Sequence, residues 1–420
     1  MPQTHGWAGA SFCACVNSAS RDCPRGANLT DDKPHLADTE HPPIFFSGGT
    51  ALKRLSSTFA AQGCHTVHLV TTFDSGGSTA RLRAAFAMPA LGDLRNRLVA
   101  LADPDLCSHA LVHCMETRIP DTGDPQNLRQ MLVAMGREDH PVWQGINATP
   151  ARCLRQCLTH FLAAMPASFD ARQASLGNIC MAGKYLQEHR SLNAVLGLFS
   201  RLLHVQGEVL PIVEESLHLA ARLCDGTTRV GQHHFKEFTS PIQECFLTVN
   251  EPDRGRDEPV VCKPRASSAA LARLREAGLV CYPMGSFFSS VVANLLADGV
   301  ANVVAALDCP KVFIPNTGHD HELMGHTLCD EMRILVQTLL GERCSAADNG
   351  WKESAGLFLT HMMVDTRNGH YPGSMELAQK LAQEVGVQVL DLPLVDEDRQ
   401  HHNPQKLAEL IQHMTGTNNA

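Results

Sequence analysis

The chain has 420 residues, is 44% hydrophobic and carries a formal net charge of -9. This apolar content excludes general disorder, and an acidic chain without a long basic run is not typical of a nucleic-acid-binding protein. No apolar run reaches the roughly 20 residues that cross a bilayer, and residues 1–41 lack a secretory-signal pattern. We therefore expect a cytoplasmic protein with no nucleic-acid or membrane partner. The sixteen cysteines are scattered without a C-x-x-C pair, which is typical of reduced, buried side chains.

Residues 1–42 are rich in Ser, Asp, Pro and Cys and show no periodicity, so we expect a flexible leader there. After it, short apolar runs alternate with helical patterns. This alternation predicts an α/β fold: a doubly wound, mostly parallel, Rossmann-like sheet with helices on both faces. Residues 43–420 are expected to form this domain, with a mainly helical insertion around residues 97–170. The predicted strands lie at residues 44–46, 67–73, 205–213, 217–223, 279–282, 311–315, 357–364 and 387–392.

Three of the predicted strands end in glycine-rich turns. Gly48-Gly49-Thr50 follows the first strand, Gly76-Gly77-Ser78 follows the second, and Gly285-Ser286 follows the strand at 279–282. A phosphate can lie against backbone N–H groups where no Cβ blocks the approach, and a following helix adds its positive end. Each turn alone is a weak signal, because Gly-Gly turns often merely connect elements. Together they predict a phosphate site at one edge of the sheet, since the carboxyl ends of parallel strands meet there.

Asp74 stands at the end of the second strand, directly before its glycine turn. Mg²⁺ usually keeps waters and takes one or two carboxylates, so Asp74 is the candidate metal ligand. A helix cap or Asx-turn is the alternative role for this side chain. Arg83 and Arg95 follow closely and could counter phosphate charge, although a salt-bridged helix face is equally typical of such arginines. Asp93 is interpreted only as a helix cap.

Five polar residues between residues 319 and 326 form a histidine-rich cluster: His319, Asp320, His321, Glu322 and His326. The cluster lacks the i, i+4 histidine pair of a zinc-binding helix, so a polar substrate loop is favoured over a metal centre.

At these motifs the chain resembles the CofD-like family, which includes 2-phospho-L-lactate transferase and the YvcK-type gluconeogenesis factors. The family's Gly-Gly-Thr-Gly is similar to residues 48–51, its Asp-x-Gly-Gly-Ser-Ser-Gly-x-Leu-Arg to residues 74–83, and its Gly-Asp-x-Arg-Asn to residues 92–96. Its Ser-x-Gly-Asn corresponds to residues 175–178, and the YvcK-type Asp-Gly-Thr to residues 225–227. A Gly-Pro-Gly-Ser block resembles residues 282–296, and a terminal His-Asp-Pro block resembles residues 402–408.

The resemblance implies a Mg²⁺-assisted transferase, acting as a homodimer. It would move a phosphorylated small-acid group from a nucleoside-diphosphate-linked donor to an acceptor hydroxyl. The catalytic residues would be Asp74, Arg83 and Arg95, with Asp74 also at the metal. The nucleotide and its phosphates would be bound by Gly48, Gly49, Thr50, Gly76, Gly77, Ser78, Asn178, Gly285, Ser286 and Asn294. The alternative is a YvcK-like regulator that holds a nucleotide sugar without turnover.

One departure from the family pattern favours that alternative. The family often has an acidic residue before the strand at 279–282, where this chain has Gly278. If that acid helps to hold a metal, the metal here rests mainly on Asp74.

Overall fold

The computed structural model describes residues 41–250, 258–341 and 350–416. The predicted leader lies outside the described residues apart from His41 and Pro42. A seven-stranded sheet organises the chain in the order β11-β10-β9-β8-β1-β2-β3, and every pairing in it is parallel. This confirms the predicted α/β class with a mostly parallel sheet. Its strands are β1 (Pro43–Ser47), β2 (Val67–Val70), β3 (Glu208–Pro211), β8 (Leu279–Tyr282), β9 (Lys311–Phe313), β10 (His361–Val364) and β11 (Gln388–Asp391).

Alternate residues of each central strand enter different cores, because successive side chains point to opposite faces of a sheet. Ile44 and Phe46 of β1 pack into one cluster, whereas Phe45 packs into another on the opposite face. Both clusters are apolar, so the strands between them are buried on two sides. This explains why these strands are continuous apolar runs in the sequence.

Helices cover both faces of the sheet. α1, α15 and Phe45 share one core, and α9 and α11 to α14 belong to the core on the other face. A third core lies within the helices between β2 and β3. The helices are α1 (Lys53–Ala61), α2 (Gly77–Phe86), α3 (Gly92–Ala100), α4 (His109–Glu116), α5 (Pro125–Met135), α6 (Ala148–Ala164), α7 (Leu176–Gln187), α8 (Leu192–Leu202), α9 (Ser268–Arg275), α10 (Ala293–Leu295), α11 (Val300–Ala305), α12 (Leu328–Leu340), α13 (Gly350–Phe358), α14 (Met375–Glu384) and α15 (Pro404–Thr415).

The strand predicted at residues 217–223 is confirmed, but it does not belong to the parallel sheet. It is β4 (His218–Leu223) of a second sheet with β5 (Thr228–Val230), β6 (Ile242–Thr248) and β7 (Val261–Cys262), in the order β5-β4-β6-β7. The pairings are antiparallel. The reason is the turn that follows β4: Asp225 accepts the Thr227 N–H at 2.8 Å and reverses the chain at once, which forces an antiparallel partner.

Two further details differ from the predicted elements. Residues 357–358 end α13 instead of opening a strand, and β10 begins only at His361. The helix after β8 starts as a π-helical segment (Phe287–Val292) and continues into α10. No helix among residues 41–250, 258–341 and 350–416 is long and apolar enough to cross a membrane.

The strand order changes direction between β1 and β8. From β1 the chain proceeds to β2 and β3, and from β8 it proceeds outward through β9 and β10 to β11. The segments after β1 and β8 therefore leave on opposite faces and open a crevice between them. In doubly wound sheets, ligands bind in this crevice, outside the carboxyl ends of the strands.

We predict that Gly183→Ala destabilises the protein through the close packing of α6 against α7. A Cβ at Gly183 would overlap the Cys157 carbonyl, and overpacking a core costs about 1–3 kcal/mol. The matched control is Gly356→Ala, because Gly356 is also helical but has nothing within 4 Å of its Cβ position. We expect the control to be neutral or stabilising by up to about 1 kcal/mol. Urea unfolding of both variants measures the difference, and equal midpoints would contradict the packing argument.

Candidate functional site at the carboxyl ends of the strands

A cavity of about 200 Å³ lies at the crevice between β1 and β8. One wall is the turn after β1, residues 46–52, and the other is formed by residues 283–286 with Ser290 and Val291. We call it the switch-point cavity. Glycines and the hydroxyl residues Ser47, Thr50, Ser286 and Ser290 line it beside apolar side chains, and backbone and hydroxyl groups suit the oxygens of a phosphate.

The two walls are held together by direct packing at Gly48. A Cβ on Gly48 would lie 2.6 Å from Ser290 Oγ, so only glycine allows this approach. Asn294 donates from Nδ2 to the carbonyls of Ser47 at 3.1 Å and Ser290 at 2.6 Å, and Arg97 donates to the Gly48 carbonyl at 3.2 Å. Gly48 and Asn294 are both buried, Asn294 completely. They support the cavity walls from within the protein. Asn294 has no exposed surface, so it cannot make the direct ligand contact that was predicted for it.

Three of the predicted phosphate-binding residues are open to the cavity or to solvent. Gly49 is half-buried and Thr50 is exposed at the mouth of the turn. Gly77 is exposed, adopts φ +49° and has nothing within 4 Å of its Cβ position. Gly76 is half-buried, and the Asp74 carboxylate lies beside it. Their role in phosphate binding stays a prediction that this geometry permits.

Asp74 forms the Asx-turn that was the alternative role for it, and its role as a metal ligand stays a prediction. Its Oδ1 accepts the Gly76 N–H at 2.9 Å, which is an Asx-turn. The same oxygen accepts from Gln232 Nε2 at 2.9 Å. Oδ2 points toward α3 and lies 3.0 Å from the Cβ position of Gly92. One carboxylate oxygen is thus fixed by the turn and the other faces the start of α3, where Asp93 stands.

Asp93 is the functional candidate that the sequence analysis missed. It is not the cap of α3, since the residue at the cap position is Leu91. Its Oδ2 accepts from Thr71 Oγ1 at 3.3 Å, and the nearby Gly49 N–H helps to lower its pKa, so Asp93 lies near the ends of both β1 and β2. Burial, and next the nearby Asp74 carboxylate, raise the pKa of Asp93 to about 7. Its position in the Gly-Asp-x-Arg-Asn motif was the sequence signal that could have identified it as a functional residue.

Ser78, Asn178 and Arg95 form one buried chain of hydrogen bonds beneath the second glycine turn. Asn178 donates from Nδ2 to Ser78 Oγ at 3.2 Å and accepts from Arg95 Nε at 3.1 Å. Arg95 also donates to the Met115 carbonyl at 3.3 Å, and burial lowers its pKa. All three side chains are nearly inaccessible. The structure therefore brings these predicted site residues together, as a support for the start of α2.

Arg83 is placed differently from the predicted charge-countering role. Its guanidinium donates to the backbone carbonyls of Phe73 at 3.2 Å and Asp74 at 3.1 Å, and to that of Leu217. The residue is buried. Arg83 thus fixes the end of β2 to the second sheet and presents little surface to a ligand.

The wall after β8 already has its backbone donors occupied by the loop after β9. Asn316 accepts the Gly285 N–H at 2.8 Å, Asp320 accepts the Phe287 N–H at 2.9 Å, and Glu322 accepts the Ser289 N–H at 2.8 Å. Burial raises the pKa of Glu322 to about 7. The Gly285 N–H is therefore not free to cradle a phosphate as predicted, whereas Ser286 is exposed. Phe287 and Phe288 are core residues.

A second cavity, of about 350 Å³, adjoins the first around Gly285 and Ser286. We call it the histidine chamber, because His319, His321, His401 and His402 line it. The substrate loop preferred in the sequence analysis forms part of its wall. Within the described residues, no group of three or more His, Cys, Asp or Glu side chains is arranged to hold a metal ion.

Asp74 and Asp93 could hold Mg²⁺ only if the remaining ligands came from water and from the phosphates of the substrate. Two adjacent carboxylates supply too few ligands for an all-protein cage. They suffice for an ion that keeps waters and binds substrate phosphates. The missing acid at Gly278 has no bearing on this site. Gly278 precedes β8 and donates its N–H to Pro42, so it lies at the amino edge of the sheet, about 13 Å of strand away.

A parallel sheet with glycine turns and paired carboxylates at its switch point defines the class of α/β proteins that bind ligands at the carboxyl ends of their strands. The chain belongs to the CofD family: residues 44–403 match the family described as 2-phospho-L-lactate transferase CofD.

Relatives and solved structures agree with this membership. The chain is 26% identical to a gluconeogenesis factor of Bacillus subtilis, over 70% of this chain and 73% of that protein. It is 25% identical to the gluconeogenesis factor of Halalkalibacterium halodurans, over 70% and 72% of the two chains. A crystal structure of a UPF0052 family member from Bacillus halodurans has the same fold, with a TM-score of 0.60 and 22% identity over 88% of this chain and 98% of that one.

We predict that Asp93→Asn changes how stability depends on pH. Between the ordinary carboxyl pKa near 4 and the folded value of about 7, Asp93 is protonated when folded and ionised when unfolded. Folding then takes up a proton, so this residue's contribution to stability falls as pH rises, by about 1.4 kcal/mol per pH unit. The variant lacks this loss. Its free energy of unfolding, relative to that of the wild type, should therefore increase between pH 5 and pH 7.

Urea unfolding at pH 5, 6, 7 and 8 measures this difference. Asp121→Asn, at an exposed aspartate, is the control and should follow the wild type at every pH. A constant offset between Asp93→Asn and the wild type would mean that Asp93 is ionised throughout, against the proposed pairing with Asp74.

Proposed function

We propose that the protein is a Mg²⁺-assisted transferase that moves a phosphorylated small-acid group from a nucleoside-diphosphate-linked donor to an acceptor hydroxyl. The observation that carries this proposal is the Asp74–Asp93 pair beside the glycine turn that follows β2. A site that only stores a phosphate gains nothing from two adjacent carboxylates, which repel it. A transfer reaction uses them, because it needs a cation and a proton acceptor at the reacting phosphate.

The proposed reaction is a displacement at the phosphorus that carries the small acid. The acceptor hydroxyl oxygen bonds to the phosphorus that carries the small acid, and the bond from this phosphorus to the bridging oxygen breaks. That oxygen keeps the electron pair and leaves as part of the nucleoside monophosphate. The hydroxyl proton passes to a carboxylate oxygen of the Asp74–Asp93 pair. A pKa of about 7 at Asp93 suits this transfer near neutral pH.

The remaining residues position the reactants. The Gly77 backbone lies against the diphosphate, and Thr50 and Ser286 offer hydroxyl groups at the two walls. Mg²⁺, held by Asp74 together with the diphosphate, would neutralise the charge that builds up on the leaving group. Asn178 and Arg95 act from beneath, through the hydrogen bond to Ser78 that supports the start of α2.

A second function is a regulator that binds a nucleotide sugar without turnover. The specific observation in its favour is that the relatives with 25% and 26% identity are named gluconeogenesis factors. The same turns would hold the diphosphate in both cases. The two functions differ in whether Mg²⁺ is required and whether nucleoside monophosphate is released.

A thermal-shift screen followed by product analysis separates the two functions. The purified protein is mixed with guanosine, uridine and adenosine diphosphates and with UDP-sugars, each with and without Mg²⁺; a ligand of the native state raises the Tm. A Mg²⁺-dependent shift supports the transferase if nucleoside monophosphate is then released from a donor whose terminal phosphate is esterified to the hydroxyl of a small acid, in the presence of an acceptor alcohol. Tight, Mg²⁺-independent binding of a UDP-sugar without turnover would support the regulator instead.

We predict that Asp74→Asn lowers Mg²⁺-linked ligand affinity by at least about tenfold while the fold survives. Contacts to a charged group are worth about 1.5–3 kcal/mol, and asparagine can keep the Asx-turn through its side-chain oxygen. The matched control is Asp124→Asn, because Asp124 also accepts a backbone N–H two residues on, from Gln126 at 2.9 Å, but caps α5. Titration with Mg²⁺ and nucleotide measures the effect. Lost stability with retained affinity would make Asp74 a turn residue only.

A further inference from the structure

The histidine chamber adjoins the switch-point cavity. Both are lined by Ala51, Met284, Gly285 and Ser286, so the turn after β8 is their common wall. A ligand whose diphosphate lies along the glycine turns would therefore reach the chamber with one of its ends. The two cavities differ in their chemistry. The switch-point cavity has no charged side chain in its lining, whereas the chamber has a guanidinium and several imidazoles.

Hydrogen-bond donors dominate the chamber. Arg54 and the imidazoles of His319, His321, His401 and His402 line it. Arg54 uses one nitrogen on Asp396, at 2.7 Å, and a guanidinium has five N–H donors in all. The His319 and His321 rings lie 4.5 Å apart, edge to face, on the same loop. The chamber is thus well supplied with groups that bind an anion.

The acceptors in the same lining are already engaged by the protein. The Asp320 carboxylate accepts the N–H groups of Phe287 at 2.9 Å and Glu322 at 3.0 Å. The Asn316 side-chain oxygen accepts the Gly285 N–H at 2.8 Å. The Gln400 carbonyl accepts from Thr317 Oγ1 at 3.1 Å. The carboxylate, amide and carbonyl oxygens of these three residues are therefore engaged, whereas Arg54 and the imidazoles of His319 and His321 keep donors that a ligand group can use.

His402 supplies an independent sign that a polar ligand belongs here. Its ring is buried, with 6% of the residue exposed, and Nε2 has no hydrogen-bond partner among the described residues. Burial lowers the pKa of His402 to about 4, so the ring is neutral at physiological pH and one of its nitrogens can donate. Leaving a buried polar atom without a partner costs free energy unless something else satisfies it.

We propose that the histidine chamber binds the carboxylate of the small acid carried by the donor. This inference rests on the proposed function and deepens it, because it assigns the acid end of the donor to the chamber and the diphosphate to the glycine turns. A carboxylate is acceptor-only when ionised, which matches a lining with spare donors. It also predicts that the protein distinguishes a charged acid from a neutral analogue of the same size.

The test compares two probes that differ in one group. The first is a nucleoside diphosphate whose terminal phosphate is esterified to the hydroxyl of lactate, and the second is the same molecule with lactamide in place of lactate. Calorimetric titration in Mg²⁺ gives the Kd of each. We expect the wild type to prefer the acid by at least about tenfold, since hydrogen bonds to charged groups are worth about 1.5–3 kcal/mol.

The variant is the double substitution His319→Asn with His321→Asn, at two exposed positions that should tolerate it. We expect its preference for the acid to fall to near one while its affinity for the amide analogue is kept. His109→Asn, an exposed histidine at the start of α4, is the matched control and should keep the wild-type preference. Thermal melts establish that both variants fold.

Three outcomes would overturn the inference. If the double variant keeps the wild-type preference, the chamber histidines do not bind the acid. If the wild type binds both probes equally, the chamber does not recognise a carboxylate, and the proposed function stands. If neither probe nor the parent nucleoside diphosphate binds, the proposed function fails as well.

Discussion

The close contact between the Gly48 turn and Ser290 is the constraint on which the site depends. β1 and β8 are neighbours in the sheet, but the segments after them leave on opposite faces, and this contact joins the two walls at the crevice together with the hydrogen bond from Asn294 to the Ser47 carbonyl. It requires that no Cβ lie between them. Arg97 secures the turn from one side and Asn294 secures it from the other. The cavity is therefore built before any ligand arrives, which lowers the ordering cost of binding.

The two walls use their carboxylates in different ways. On the β8 side, Asp320 and Glu322 accept backbone N–H groups that an anion would otherwise bind. On the β2 side, Asp74 has one oxygen in a turn and directs the other at Asp93. Because like charges repel, two nearby carboxylates favour a shared proton or a cation between them. The β2 side is therefore the wall on which the proposed chemistry depends, and the β8 side is its rigid partner.

The parallel sheet could be predicted because its strands are buried on both faces, which makes runs such as residues 44–46 continuous and apolar. The glycine turns followed from the same pattern, since they sit directly at the strand ends. The second sheet could not be assigned in this way. Residues 242–248 mix polar and apolar side chains, and their pairing with β4 depends on a turn that only the folded chain reveals.

Individual roles in the site were less predictable than its location. In sequence, an aspartate at the start of a helix looks the same whether it caps that helix or reaches a neighbouring turn. Asp93 does the latter, because the packing of α3 brings it to the Gly49 N–H. Arg83 and Asn294 stand in motifs that suggest ligand contact, but tertiary packing turns both toward backbone carbonyls. Burial decided these roles, and burial is a property of the whole fold.

Catalysis and simple binding differ here at one place, the Asp74–Asp93 pair. The glycine turns and the histidine chamber would hold a nucleoside-diphosphate-linked ligand in either case, since they supply only donors and space. The absence of an acid at Gly278 does not decide between them, because that residue lies at the far edge of the sheet. Turnover needs a group that can take a proton near neutral pH beside the reacting phosphate. Asp93, with its pKa raised to about 7 by burial and by Asp74, is placed to share that proton with Asp74.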